Sequence, residues 1–255
     1  MSKIFSDKIV KARQNKSSQI LRDKLAENEA LVVISGEPQF KPGGLDQQYL
    51  FLPLPDYYWL SGSRRSGGCI VYTLSDQWIH FEKGVTSEEL VWEGSTPSCH
   101  EFDVTDLPEW LKRKKIQKLY LIGKDNRIET FLNGWLSEKL SETEQLKRES
   151  LKLELKNCLD RSRRAKDSEE IQLIERAALA AKLGFAHLKN VVRSGITERQ
   201  IQIEFEYQSF KAGSEKVPYE TIVGAAQRAA ILHAIPTDRK VQSGDLVLVD
   251  AGADK

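Results

Sequence analysis

Leu246, Val247, Leu248 and Val249 form an unbroken aliphatic run, launched by Ser243-Gly244-Asp245 and followed by Asp250-Ala251-Gly252. A run of this kind bounded by glycines predicts a strand buried on both faces, and such a strand demands a sheet with covering layers. It also delivers a carboxylate at its end, where desolvation is costly unless something positive meets it. Read with period two, Asp250 shares a sheet face with Leu246 and Leu248. Two chemistries stay open for it. On a face that lines a cavity, Asp250 is a hard oxygen ligand suited to Mg²⁺ or Mn²⁺. Otherwise it is an aspartate opening a turn before Gly252. The stop at Lys255 reads as falling inside a site.

A chain of 255 residues holds one large or two ordinary domains. Its 38 Lys and Arg nearly cancel its 37 Asp and Glu, which gives no electrostatic case for nucleic acid or an anionic membrane. The basic clusters at 112–115 and 161–166 read as solvated helix face or linker. Cys69, Cys99 and Cys158 are odd in number and widely spaced. That spacing argues against a disulfide framework or zinc module and fits a reducing compartment. No apolar run approaches the ~18 residues of a membrane span. Residues 1–16 lack the apolar core of a secretory signal. A cytoplasmic location is the expectation.

Along the chain, residues 4–27 predict an amphipathic helix, and Ala30 to Ile34 a buried strand closed by Ser35-Gly36. Pro42-Gly43-Gly44 reads as a loop. Pro53 and Pro55 exclude a central strand, so the aromatic stretch Tyr49 to Gly62 predicts an extended segment and a short strand at Tyr57 to Leu60. Gly68 to Thr73 and Gln77 to Phe81 predict a hairpin. Thr86-Ser-Glu-Glu89 is a capping box that starts a short helix. Thr105 or Asp106 with Pro108 signals a helix to about Lys114. A strand at Lys118 to Ile122 and a helix at Glu129 to Leu140 complete a mixed α/β domain over residues 1–145. No phosphate loop follows any strand. A charged linker, 146–166, comes next. Residues 167–255 then open with Asp167-Ser-Glu-Glu170, whose helix presents Ile171, Ile174, Ala178, Ala181, Phe185 and Leu188 at spacings of three and four. Thr197-Glu-Arg-Gln200 starts a second helix that stops at Gly213. Strands at Glu220 to Val223 and Leu246 to Val249 complete an ααββ order.

His233 lies in Ala230-Ile-Leu-His-Ala-Ile-Pro236. A neutral imidazole among apolar residues offers one hydrogen bond to a substrate carbonyl or its developing oxyanion, or else sits as a hydrogen-bonded core histidine. His80, His100 and His187 have no acidic or thiol partner at ligand spacing. No serine-hydrolase elbow or HExxH motif occurs.

Tyr219-Glu-Thr-Ile-Val-Gly224, then His233, then Gly244-Asp-Leu-Val-Leu-Val-Asp-Ala-Gly-Ala253 resembles the opening of the catalytic domain of Xaa-Pro aminopeptidases, the aminopeptidase P and prolidase group of pita-bread metallopeptidases. Arg164 to Ile171 and Gly195-Ile-Thr-Glu198 resemble the starts of that domain's first two helices. The first half is similar to the family's creatinase-like accessory domain. There Tyr49 to Gly62 stands for its aromatic segment, with Leu54 and Pro55 where a charged residue is usual and Ser61 for Thr.

The resemblance implies an α/β (α+β) chain, with a creatinase-like N-terminal α/β domain followed by the first ααββ unit of a pita-bread domain. It implies Asp250 as the first metal ligand and His233 as the residue contacting the scissile carbonyl, with Tyr219 and Val223 in substrate binding. The family uses two divalent metal ions, with manganese the expected identity, to activate a bridging water. Its other ligands are a second Asp about eleven residues later, a His and two Glu, one of them the general base. None has a counterpart here, so the expectation for these 255 residues alone is inactivity. The implied substrate is a proline-containing peptide, with no nucleic acid or membrane partner. A homo-oligomer is an open expectation, since accessory domains in the family commonly make dimer contacts. A non-catalytic binding module, an Xaa-Pro dipeptidase and a creatinase-type amidinohydrolase are the alternatives.

Overall fold

Valines, isoleucines and aromatic residues at period two build the first sheet. The computed structural model describes residues 4–43, 47–94, 101–137 and 140–255, and the chain divides into two compact units, Met1–Ala165 and Lys166–Lys255. In the first unit the elements run α1 (Asp7–Leu21), β1 (Glu29–Ile34), α2 (Pro55–Ser61), β2 (Gly68–Thr73), β3 (Gln77–Glu82), α3 (Ser87–Glu93), β4 (Phe102–Asp103), α4 (Leu107–Arg113), β5 (Lys118–Ile122), α5 (Asn126–Phe131), α6 (Asn133–Leu136) and α7 (Glu142–Arg164). The sheet order is β4-β3-β2-β1-β5, antiparallel at β1–β2 and β2–β3 and parallel at β1–β5 and β3–β4.

Strand β1 divides its side chains between two cores, as a doubly covered strand must. Leu31 and Val33 pack with Leu21, Tyr57, Leu60, Leu155 and Leu159, while Ala30, Val32 and Ile34 pack with Leu107, Trp110, Leu111 and Ile128. The predicted hairpin is present as β2 and β3, in the register Val71↔Ile79. Thr86 and Glu89 make both bonds of the capping box of α3. The charged stretch 146–166 is helical over most of its length, and Leu155, Cys158 and Leu159 of α7 enter the core.

Three expectations change in this unit. Tyr57 to Leu60 is not a strand: it lies within α2, which starts with Pro55 in its first turn and ends at Gly62 with φ +70°. A proline that excludes a central strand is equally suited to the first turn of a helix, and a left-handed glycine ends one. The first helix is shorter than predicted, since Ser6 caps its start, and Arg13, Ser17 and Ser18 are buried on it along with Leu21. The helix predicted at Glu129 to Leu140 starts earlier, because the Asp125 side chain accepts from Arg127 N–H and Ile128 N–H, and it divides into α5 and α6. Residues 138–139 lie outside the described residues.

The second unit is α8 (Ser168–Val191), α9 (Glu198–Lys211), β6 (Ile222–Ala225) and β7 (Val247–Asp250), the predicted ααββ order. Capping boxes at Asp167/Glu170 and Thr197/Gln200 start its two helices. The packed stripe of α8 differs from the predicted one. Ala180, Gly184 and Leu188 are buried, whereas Ile171, Ile174 and Phe185 are exposed. Gly184 allows the close crossing of α9, since a Cβ there would stand 2.6 Å from Ser209 Oγ and 2.7 Å from the Phe205 ring. The core gathers Leu188, Ile201, Phe205, Val223, Ala225 and Val241, with Val247 and Val249 packed against it.

Strand β7 is not buried on both faces. Among the described residues it pairs antiparallel with β6 alone, in the register Ile222↔Asp250 and Val223↔Val249. Val247 and Val249 face the helices, while Leu246, Leu248 and Asp250 are exposed, Leu246 at 82%. The apolar run carried no alternation from which a one-sided strand could be read.

Gly184→Val is expected to lower the unfolding free energy by about 1–3 kcal/mol through overpacking against Phe205. Urea denaturation checks this, and an unchanged midpoint would rule out the close crossing.

Candidate functional site

Asp250 ends β7 on the exposed face, and the Tyr219 hydroxyl donates to its Oδ1 at 2.7 Å. Gly252 makes this possible. A Cβ at that position would stand 2.8 Å from Pro218 Cγ and 3.2 Å from Tyr219 Cε1, so the tyrosine ring rests where only glycine leaves room. Phenol and carboxylate thus meet at one end of the β6–β7 pairing, where Tyr219 precedes Ile222 and Ile222 pairs with Asp250. The hydrogen bond to the Asp250 carboxylate, then burial, then the charge of Asp250 push the Tyr219 phenol above its ordinary range. At neutral pH Tyr219 is a donor.

The segment between β6 and β7 carries His233. It begins with Ala226 in the left-handed region, φ +51°, followed by a 3₁₀ turn over Ala226–Ala230. Gly224 admits this turn, because a Cβ there would stand 2.5 Å from the Arg228 carbonyl oxygen. Ile231, Leu232, His233 and Ile235 are exposed, and Ala234 is buried.

Glu198, in the first turn of α9, has a fully buried side chain. It accepts from Ala225 N–H at 2.9 Å, from Arg228 Nε at 3.0 Å to each oxygen, and from Thr237 N–H and Oγ1 at 3.0 and 2.6 Å. Burial raises its pKa, but the bonds from Thr237, Ala225 and Arg228 outweigh that and hold it below the ordinary carboxylate range. It is charged at neutral pH. The sequence placed Glu198 in a helix-start motif, and no local signal linked it to Arg228, thirty residues away, or to Thr237.

The residues singled out in the sequence fall in different places. Val223 is fully buried in the core, and its neighbour Ile222 pairs with Asp250. His187 has an acidic partner that sequence spacing did not show, Glu204 Oε2 at 2.7 Å, reached from α8 to α9. His80 is buried beside Tyr57, whose hydroxyl lies 2.9 Å from its Nε2 and also donates to Glu82. Ser63 and Arg65 bond the same Glu82, which makes this a satisfied polar cluster in the core of the first unit. His100 and Cys99 lie outside the described residues.

A hard divalent cation takes six or more oxygen ligands, several of them commonly carboxylate. Asp250 supplies one carboxylate, with one oxygen already accepting from Tyr219. Among the described residues no three His, Cys, Asp or Glu side chains stand together where they could hold a metal ion. The described residues fit one ligand of a metal centre and fall short of a whole one. Among the described residues, too, no helix is long and apolar enough to cross a membrane.

Residues 172–255 match the model of metallopeptidase family M24. The chain is 29% identical over 213 residues to an Xaa-Pro dipeptidase of Pyrococcus furiosus, covering 82% of this chain and 56% of that protein. It is 25% identical over 248 residues to a probable Xaa-Pro aminopeptidase of Aspergillus fumigatus, covering 91% and 48%. Its fold superposes on the structure of the Pseudomonas aeruginosa aminopeptidase PepP with a TM-score of 0.74 at 19% identity, covering 96% of this chain and 59% of that one. The mixed α/β architecture is therefore that of the aminopeptidase P structures, and the chain spans about half the length of the curated relatives it matches.

Asp250→Asn is expected to lower the Tyr219 phenol pKa toward the ordinary value of about 10, because it removes the charge that opposes phenolate formation. Titration of ¹³C-labelled tyrosine by NMR reads the shift, and a Tyr219 curve unmoved by the substitution would break the assigned contact.

Proposed function

We propose that this chain, whose residues 172–255 match metallopeptidase family M24, serves an Xaa-Pro aminopeptidase that releases an N-terminal residue preceding proline. The observation that carries the reading is the M24 match over the ααββ unit, in which Asp250 and His233 are both exposed. In this reading the first unit is the accessory domain, the substrate is a proline-containing peptide, and the setting is cytoplasmic.

Asp250 is the proposed first ligand of a divalent metal centre, with manganese the proposed ion. Bound there, the metal supplies Lewis-acid polarisation and an activated water. In this reading the described residues supply one ligand of such a centre. His233 has a role of its own. Its imidazole donates a hydrogen bond to the carbonyl of the residue before proline, and that bond strengthens as the oxygen gains charge. Exposed Leu232 and Ile235 flank it and favour an apolar substrate side chain. Tyr219 orients Asp250 through its hydroxyl and borders the substrate. Val223, buried beneath, supports the floor of the same sheet.

Likeness to the Pyrococcus furiosus Xaa-Pro dipeptidase supports a second reading, cleavage of two-residue substrates only. Comparing Xaa-Pro with Xaa-Pro-Yaa peptides separates the two.

The 255-residue chain is expected to release no N-terminal residue in a manganese-dependent way, and clear turnover by the pure chain would contradict this. In a polypeptide of the relatives' length that carries these residues, His233→Ala is expected to lower kcat by about 10²–10³, the loss typical of removing one oxyanion donor. Initial-rate kinetics on Xaa-Pro-Yaa peptides measure it, and a kcat within twofold of the parent would remove His233 from the mechanism.

A further inference from the structure

We propose that Glu198 is the positioning residue for His233: its buried carboxylate ties both ends of the 226–237 loop to the start of α9 and so holds the imidazole in one place. The inference rests on the reading that His233 meets substrate, and it adds the residue that makes this placement definite.

The tip of the loop has little else to hold it. Of Ile231 to Ile235, only Ala234 is buried, so side-chain packing does not fix the position of His233. The stem fixes it. Glu198 reaches Ala225, the last residue of β6, and Thr237, where the loop returns. It also reaches Arg228 within the 3₁₀ turn. Arg228 carries the constraint across the loop, since its Nη2 donates to the Ile235 carbonyl at 2.6 Å while its Nε is held by the carboxylate. Backbone bonds from Glu198 N–H to the Arg239 carbonyl and from Arg199 N–H to the Thr237 carbonyl set the returning chain against the same helix end. His233 thus sits between two braces, each ending on Glu198.

Ala226 adds an independent sign that the stem is over-determined. A non-glycine residue at φ +51° is unfavourable on its own, and such a conformation persists where surrounding bonds enforce it. Its N–H is held by the Leu246 carbonyl at 2.9 Å, and its neighbour Ala225 donates to Glu198. Glutamine at 198 keeps the size of the side chain but loses the charge, and its amide nitrogen faces donors where a carboxylate oxygen accepted them.

The test is amide hydrogen exchange and His233 ring NMR on the 255-residue chain and its Glu198→Gln variant. Exchange across 226–237 is expected to rise at least tenfold, and the His233 ring signals to broaden or split, while α8 and β7 keep the parent rates. Unchanged loop exchange overturns the proposal. So does a rise shared equally by the whole second unit, which would make Glu198 a stability residue only. Should Glu198→Gln fail to fold, Arg228→Lys decides: a lysine cannot hold both carboxylate oxygens and the Ile235 carbonyl together. It must give the same loop-confined rise, and a parent-like profile overturns the proposal. The outcome is separate from the functional reading. Peptidase kinetics of His233→Ala judge whether His233 acts on substrate, and loop exchange judges what holds it.

Discussion

A carboxylate sealed from water must find its hydrogen bonds inside the protein, and Glu198 finds them from four donors on two strands' worth of chain. Its charge, the guanidinium of Arg228 and the N–H groups of Ala225 and Thr237 satisfy one another. Removing one partner of such a group leaves the others unpaired, and the loss falls on the loop that they hold. The 226–237 loop depends on this knot. It joins the start of α9 to the end of β6 and to the returning chain before β7, so helix pair, sheet and loop share one fixed point. Without it, the left-handed Ala226 and the exposed tip beyond it would have no common restraint.

The two-stranded sheet then sets which side chains are available for chemistry. Helices α8 and α9 cover the Val223, Ala225, Val247 and Val249 face, made tight by Gly184 and the Phe205 ring. Period-two alternation puts Leu246, Leu248 and Asp250 on the other face. The carboxylate stands on an open surface, held by one hydroxyl, rather than in a salt-bridged interior. An open carboxylate with one fixed oxygen is suited to receive a cation, and an imidazole on a braced loop between the same two strands is suited to receive a carbonyl.

Much of this was legible in the sequence wherever a local rule carries the information. The capping boxes at Thr86, Asp167 and Thr197, the β2–β3 hairpin and the order α8, α9, β6, β7 follow from patterns within a few residues. The failures have a common physical origin. Pro55 removes a strand hydrogen bond and also suits a first helical turn, so it excludes one structure without selecting the other. The aliphatic run of β7 reads as doubly buried because its composition does not report how many layers cover it. On α8, Ile171 and Phe185 looked like core, but the close crossing of α9 selected Ala180 and Gly184 instead. At the site, Asp250 and His233 stood out as isolated polar residues in apolar surroundings. The partners that fix them are long-range: Tyr219 lies thirty-one residues from Asp250, and Glu198 lies thirty from Arg228. The contact between His187 and Glu204 was missed for the same reason.

The central proposal is that Asp250 is the first ligand of a divalent metal centre and that His233 acts on the substrate carbonyl. The direct measurement is the metal content of a polypeptide of the relatives' length carrying these residues, determined by atomic absorption after manganese loading and gel filtration. The proposal predicts equal manganese content in the parent and His233→Ala, and a clear deficit in Asp250→Asn. Full metal content in Asp250→Asn, or a deficit in His233→Ala equal to that of Asp250→Asn, would contradict it.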